Sequence, residues 1–329
     1  MEDLNKTLTI DDIARELGIS KTTVSRSISG KGRIGAETRK RVLDYIDAIG
    51  FKPNPQARGL AQSRSYNIGW IIPGDSELSS LSFFQRCMQG VIDVAAKKDS
   101  DVLIGAVNGN NISGLKRIVE NQKVDGVILG QSLRKDPAIA YLKEKKLPFV
   151  VVGSTEVKGV VQVDNDHLAA CSELSSIIRM KNVRFVSLIG GDRGKVVNET
   201  RRKGFEAGIG SVKHNEYVNC SNVADIERAV ESALSDGADC IICEDDYICF
   251  YVMSKLRRDG VDIPGRIKVA SFYNSRMLEG IQPAVTSLQY DPMELGEKAC
   301  SILLDMIEGN EVPERTLLGY EVILKASTQ

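Results

Sequence analysis

Apolar residues recur at helical spacing near the start of the chain and in short continuous runs later on. The change of rhythm predicts two kinds of structure. Ile10, Ile13, Ala14 and Leu17 share one face of a short helix. Gly18 supplies the cheap positive φ that a helix stop needs. Ser20 can accept a hydrogen bond from a free amide and cap a second helix. In that helix Val24 and Ile28 turn inward, leaving Lys21, Thr22, Ser25 and Arg26 outward. Val42, Leu43, Ile46 and Ile49 place a third helix over Glu37–Ile49, closed by Gly50. Two short helices about a tight turn, the second with a polar and basic outer face, have the layout of a helix-turn-helix that enters a DNA major groove. A purely structural helical hairpin is the alternative.

From Tyr66 onward the period changes. Apolar runs at Asn67–Ile72, Asp101–Val107, Gly126–Leu129, Pro148–Val152, Val183–Ile189, Ala238–Cys243 and Ile267–Phe272 read as strands. Helical patterns lie between them at Phe83–Lys98, Ile112–Gln122, Pro137–Lys145, Asn165–Met180, Val197–Ile209, Val223–Ser235 and Asp245–Asp259. Such alternation predicts parallel sheets covered by helices on both faces. Two sets, before and after about Asp164, predict an α/β body of two Rossmann-like subdomains behind an all-α head. Ligands of such sheets bind beyond the carboxyl ends of the strands, here the cleft between lobes.

At 329 residues the chain has room for two or three domains, and its 42% apolar content fits a globular fold. The formal net charge is only −1, yet Lys31, Arg33, Arg39, Lys40 and Arg41 cluster just after the second helix. A cationic head on a neutral body implies phosphate contacts at one end. No apolar stretch is long enough to span a membrane, and Met1–Lys6 lacks an apolar signal region. These features predict a cytoplasmic protein, nucleoid-associated when bound to DNA. The seven cysteines are scattered, and Cys240, Cys243 and Cys249 have no matching Cys/His pair at zinc-site spacing. They read as small hydrophobes in a reducing compartment. His167 and His214 are isolated and read as surface or helix residues rather than catalysts.

Between head and body, Pro53 and Pro55 follow the third helix. Asn54 can cap a new helix over about Pro55–Ala61, too short to persist alone and weakened by Gly59. Leu60 in this basic linker suits a wedge that enters the minor groove and bends the duplex; a plain flexible linker is the alternative. Catalytic machinery is not evident. Gly190–Lys195 resembles a phosphate loop but fails the Gly-x4-Gly-Lys-Ser/Thr spacing, and there is no Gly-x-Ser-x-Gly elbow. Glu244-Asp245-Asp246 could bind a metal, but at a strand-to-helix junction it equally caps a helix and meets a polar ligand. No catalytic residue, metal site or cofactor is therefore expected. Two rivals to a DNA-binding regulator stay open: a two-lobed small-molecule binding protein, and an enzyme acting on a carbohydrate or nucleotide in the cleft.

Taken together, these residues resemble the LacI/GalR family of bacterial transcriptional regulators over essentially the whole chain. The head carries Thr23-Val24-Ser25-Arg26, Gly30-Lys31-Gly32, Glu37-Thr38-Arg39-Lys40-Arg41-Val42 and Gly50-Phe51-Lys52-Pro53-Asn54. The body adds Val163-Asp164-Asn165, Leu188-Ile189-Gly190-Gly191, Arg201 before Gly204-Phe205, and Thr286-Ser287-Leu288-Gln289. The resemblance implies a periplasmic-binding-protein-like body and a homodimeric repressor on a near-palindromic double-stranded operator. Lys21, Thr22, Ser25 and Arg26 would meet the DNA at base edges, Lys31 and Arg39 at phosphate, and Leu60 as the wedge. It also implies a small effector in the cleft, a sugar, nucleoside or related metabolite, touched by Phe83, Phe84, Arg201, Asp245, Tyr273 and Gln289. Two departures stand out: Tyr273 replaces a carboxylate that often holds sugar hydroxyls, and Gly153 stands where Asp or Arg is usual. The implied domains are a head at 1–50, a hinge at 51–65, an N-terminal effector subdomain at 66–163 plus about 291–317, and a C-terminal one at 164–290 plus about 318–329.

Overall fold

The structure, a computed structural model, describes residues 9–30, 32–51, 64–74 and 78–329. Lys31, Leu60 and the Pro55–Ala61 helix expected from the sequence lie outside the described residues. The chain divides into two compact units, Met1–Ser65 and Tyr66–Gln329.

The first unit holds α1 (Ile10–Glu16), α2 (Lys21–Ser29) and α3 (Ala36–Ala48). Thr9 begins α1 with a reciprocal cap: its hydroxyl accepts from the Asp12 amide, and its own amide donates to the Asp12 carboxylate at 3.0 Å. Gly18, at φ 64°, turns the chain. Ser20 then caps α2, accepting from the Thr23 amide at 3.1 Å. Ile13, Val24 and Val42 fill the centre of a small core with Ala14 and Ile46. Leu43, expected in that core, is instead 38% exposed. Val42, Ile46 and Ile49 already occupy the inward stripe of α3, and one further residue rotates a side chain about 100° off it.

In the second unit, the described residues form two six-stranded sheets. The first contains β1 (Asn67–Pro73), β2 (Asp101–Val107), β3 (Gly126–Leu129), β4 (Phe149–Val152), β5 (Val161–Asn165) and β11 (Arg315–Leu318). Its order is β11-β5-β4-β3-β1-β2, parallel throughout. The second contains β6 (Phe185–Ile189), β7 (Lys213–Tyr217), β8 (Cys240–Cys243), β9 (Lys268–Ser271), β10 (Thr286–Gln289) and β12 (Glu321–Ile323). Its order is β12-β10-β9-β8-β6-β7, and its edge pair β10–β12 is antiparallel. The first lobe carries α4 (Leu78–Ala96), α5 (Ser113–Glu120), α6 (Pro137–Lys145) and α11 (Pro292–Glu308). The second carries α7 (His167–Arg179), α8 (Val196–Ile209), α9 (Val223–Ser235) and α10 (Asp246–Arg258).

The chain passes between lobes after β5, after β10 and after β11. These crossings return α11 to the first lobe, where it packs along α4. Helix pairs approach closely where a side chain is missing. A Cβ on Gly208 of α8 would stand 2.1 Å from the Ser172 carbonyl oxygen of α7, and one on Gly296 of α11 would stand 2.0 Å from the Cys87 carbonyl oxygen of α4. Among the described residues, no helix is long and apolar enough to cross a membrane.

Candidate DNA-reading face and ligand cleft

In the first unit the caps fix the rotation of α2, and burial of Val24 decides which side faces outward. Lys21, Thr22, Ser25 and Arg26 are all exposed. Ser27, between them and the core, is buried and donates its hydroxyl to the Thr23 carbonyl at 2.8 Å. The Lys21 ammonium meets the Asp11 carboxylate at 2.7 Å, an exposed pair of small worth that DNA can displace. Arg26 lies along Gly32, whose Cβ would fall 3.2 Å from the Arg26 Cδ. Arg39 lies along Gly30, whose Cβ would fall 3.0 Å from its guanidinium. One glycine turn therefore brings Arg26 and Arg39, thirteen positions apart, onto a common basic face. Arg41 is spent otherwise: its guanidinium donates to the Leu17 carbonyl and ties α3 to the end of α1.

In the second unit, a cleft of about 1000 Å³ opens beside the inter-lobe crossings. Gln85, Arg86 and Gln89 of α4 form one wall; Tyr273, Asn274 and Arg276 of the loop after β9 form another; Gln289–Glu294 and Gly319–Glu321 complete it. Ser271 positions Tyr273 by donating its hydroxyl to the Tyr273 carbonyl at 2.7 Å. The Tyr273 ring stacks on Tyr290 (6.1 Å, 15°) and meets the edge of Phe83 (6.1 Å, 77°). The Arg201 guanidinium stands 5.9 Å from the Tyr273 ring centre.

Behind this aromatic wall is a buried polar cluster. Arg201 donates to the Glu244 carbonyl at 2.8 Å, while its Nε is buried without a hydrogen-bond partner. Glu244 accepts from the Gly191 amide at 2.9 Å, and burial pushes its carboxyl up to about 7. Burial likewise raises Asp164 and Asp246 to about 6. Asp245 caps α10 through the Ile248 amide at 2.8 Å, and Ser275 donates to Asp246. His167 is driven well below its ordinary value, first by burial and then by Arg201, so its ring is neutral. Its Nε2 faces Asp164 Oδ1 at 3.4 Å, and its Nδ1 is hydrogen-bonded with the Tyr290 hydroxyl at 3.1 Å.

Two family models match the chain. One, bacterial regulatory proteins of the lacI family, covers residues 9–54; the other, a periplasmic binding protein-like domain, covers residues 179–328. Catabolite control protein A of Staphylococcus aureus is 25% identical over 98% of this chain and 100% of its own length. The HTH-type transcriptional regulator MalR of Streptococcus pneumoniae is 26% identical over 97% of this chain and 99% of its own. The head is therefore similar to bacterial regulatory proteins of the lacI family, and the whole length to two transcriptional regulators. The chain's fold is also that of the lac repressor dimer bound to operator and the anti-inducer ONPF, with a TM-score of 0.78 at 19% identity over 98% and 99% of the two chains.

The similarity to regulators of transcription thus runs through both units of the chain. Of its six cleft residues expected from sequence, only Tyr273 and Gln289 line the open cleft. Arg201 lies behind Tyr273, and Asp245 is engaged as a helix cap. Phe83 packs against the cores of both lobes, whereas Phe84 is buried in the core of the first. Gln289 accepts from the Asn274 amide at 2.8 Å. Of the two alternatives, surface or helix, His167 takes the second: it opens α7 and is buried in the polar cluster. Asp164 and Asn165 carry the resemblance without a site role, and nothing local in the sequence marks Tyr290; two chain crossings, after β5 and after β10, bring them together.

Proposed function

We propose that this chain is a cytoplasmic, homodimeric repressor of the lacI family that binds a near-palindromic operator and whose affinity for it is set by a small metabolite in the cleft of the body. The observation that supports the DNA half most strongly is the division of α2: Val24 is fully buried, while Lys21, Thr22, Ser25 and Arg26 are exposed. A guanidinium or ammonium suits guanine acceptors, and hydroxyls suit any base edge. Arg39 beside Arg26 suits phosphate. In the cleft half, Arg201, Tyr273 and Gln289 combine a cation, an aromatic face and an amide, with Phe83 and Asp245 at the margins. That mixture suits a sugar or nucleoside. Binding energy in the cleft can shift DNA affinity only by the ligand's differential affinity for the two states, typically about 1–3 kcal/mol.

Two measurements test the reading. Selection of duplexes from a random pool by the full-length protein should return a near-palindrome, bound with a steep loss of affinity as salt rises. A thermal-shift panel of sugars, purines and nucleosides should return a ligand that raises the melting temperature. A pool without sequence enrichment would refute the DNA half. Turnover of a panel compound would favour the enzyme.

A further inference from the structure

The cluster around Arg201 is closed on two sides, and the two closures differ in kind. On the α4 side the open cleft ends at the rings of Tyr273 and Tyr290, and Arg201 does not line it. Tyr290 is tethered, its hydroxyl bonded to His167. Among the described residues the Tyr273 hydroxyl makes no hydrogen bond; Ser271 holds only its backbone, and the ring is kept in place by Phe83, Tyr290 and Arg201. On the other side the loops after β3 and β6 meet. Leu133 and Lys195 form an antiparallel bridge, and the Arg134 amide donates to the Gly194 carbonyl at 3.3 Å. Both loops are braced before they meet. The Leu133 amide donates to Asp136 at 3.1 Å; Asp192 accepts from the Gly194 amide at 2.8 Å; the Arg193 amide donates to Asn219 at 3.1 Å.

We infer that a ligand reaches Arg201 from the α4 side, past a swinging Tyr273 side chain, while the braced Leu133–Lys195 contact keeps the opposite mouth shut. This rests on reading the cleft as an effector site. What waits behind the gate is a site with unmet demand. Arg201 is 8% exposed with Nε unpartnered, and Asn165 is 3% exposed with Oδ1 unpartnered. Buried polar atoms are costly in that state and call for an acceptor and a donor respectively. Asp164, Glu244 and Asp246 are buried with one buried guanidinium, Arg201, while Arg193 and Arg315 act on them from outside the cluster. A phosphate or carboxylate would add negative charge among them, so the site takes an uncharged, hydroxyl-bearing ligand.

The test needs neither DNA nor an effector. Phenylglyoxal, a small arginine reagent, is applied to the full-length protein, and modification of Arg201 is followed by peptide mass spectrometry with exposed Arg258 as the internal reference. Tyr273→Ala should speed Arg201 modification at least tenfold, and Tyr273→Phe should leave it at the wild-type rate. A Leu133→Cys/Lys195→Cys pair, oxidised to staple the loops, should leave the rate within twofold of its reduced form. No gain in Tyr273→Ala, or loss of modification on stapling, overturns the route. The seven native cysteines are buried, so their silence toward a thiol reagent reports an intact fold. Should Tyr273→Ala expose them, Tyr273→Leu takes its place, and the staple decides in the wild-type background. An effector site without this gate would fail here yet still return a thermal-shift ligand.

Discussion

Single residues carry the DNA-reading proposal, and Arg26 carries most of it. It is exposed on α2 beside Gly32, whereas Arg41 is engaged by the Leu17 carbonyl. Arg26→Ala is therefore expected to weaken specific binding by about 1–3 kcal/mol and leave random duplex nearly unaffected. Competition titrations check this, and an equal loss on both duplexes would make Arg26 a phosphate contact. At this scale the sequence was legible where a side chain's role follows from local period, as for Lys21, Thr22, Ser25 and Arg26. It was not legible where the role depends on distant strands. His167 and Tyr290 look unremarkable in their own segments, yet meet at 3.1 Å because two inter-lobe crossings lie side by side.

Elements were legible in proportion to their apolar content. Strands β1, β3, β4, β8 and β9 are buried runs that stand out against their surroundings. β7, Lys-His-Asn-Glu-Tyr, is a polar edge strand with no such run, and β10 to β12 span only three or four residues each. Their pairing is set by the sheet, not by the segment. α11 went unassigned although Leu295, Ala299, Ile302 and Leu303 have helical spacing; the strand-helix alternation had already ended before it. Two substitutions probe element boundaries and contacts. Ser20→Ala removes the α2 cap and should cost about 1 kcal/mol of stability, read by denaturant unfolding of the full-length protein. Gly208→Ala forces a methyl against the Ser172 carbonyl and should cost about 1–3 kcal/mol. An unchanged melting temperature for Gly208→Ala would mean that α7 and α8 separate freely.

For the whole molecule, the buried acids link stability to pH. Glu244 rises from its ordinary 4.5 to about 7 in the fold. Between those values the native state keeps a proton that the unfolded chain gives up, so stability falls as pH rises through the interval and levels off above it. Glu244→Gln should flatten this decline while keeping an acceptor for the Gly191 amide, as thermal unfolding from pH 4.5 to 7 would reveal; an identical slope in both proteins would argue against a buried, protonated Glu244.

The same cluster bears on regulation, since Arg201 sits at its centre without a full set of partners. The most direct measurement is the affinity of the full-length protein for its selected operator, by fluorescence anisotropy, with and without a saturating ligand from the thermal-shift panel. The account predicts a change of roughly 5–150-fold, in either direction, that disappears in Arg201→Ala while operator binding itself persists. Equal operator affinity with the cleft empty and full would contradict it.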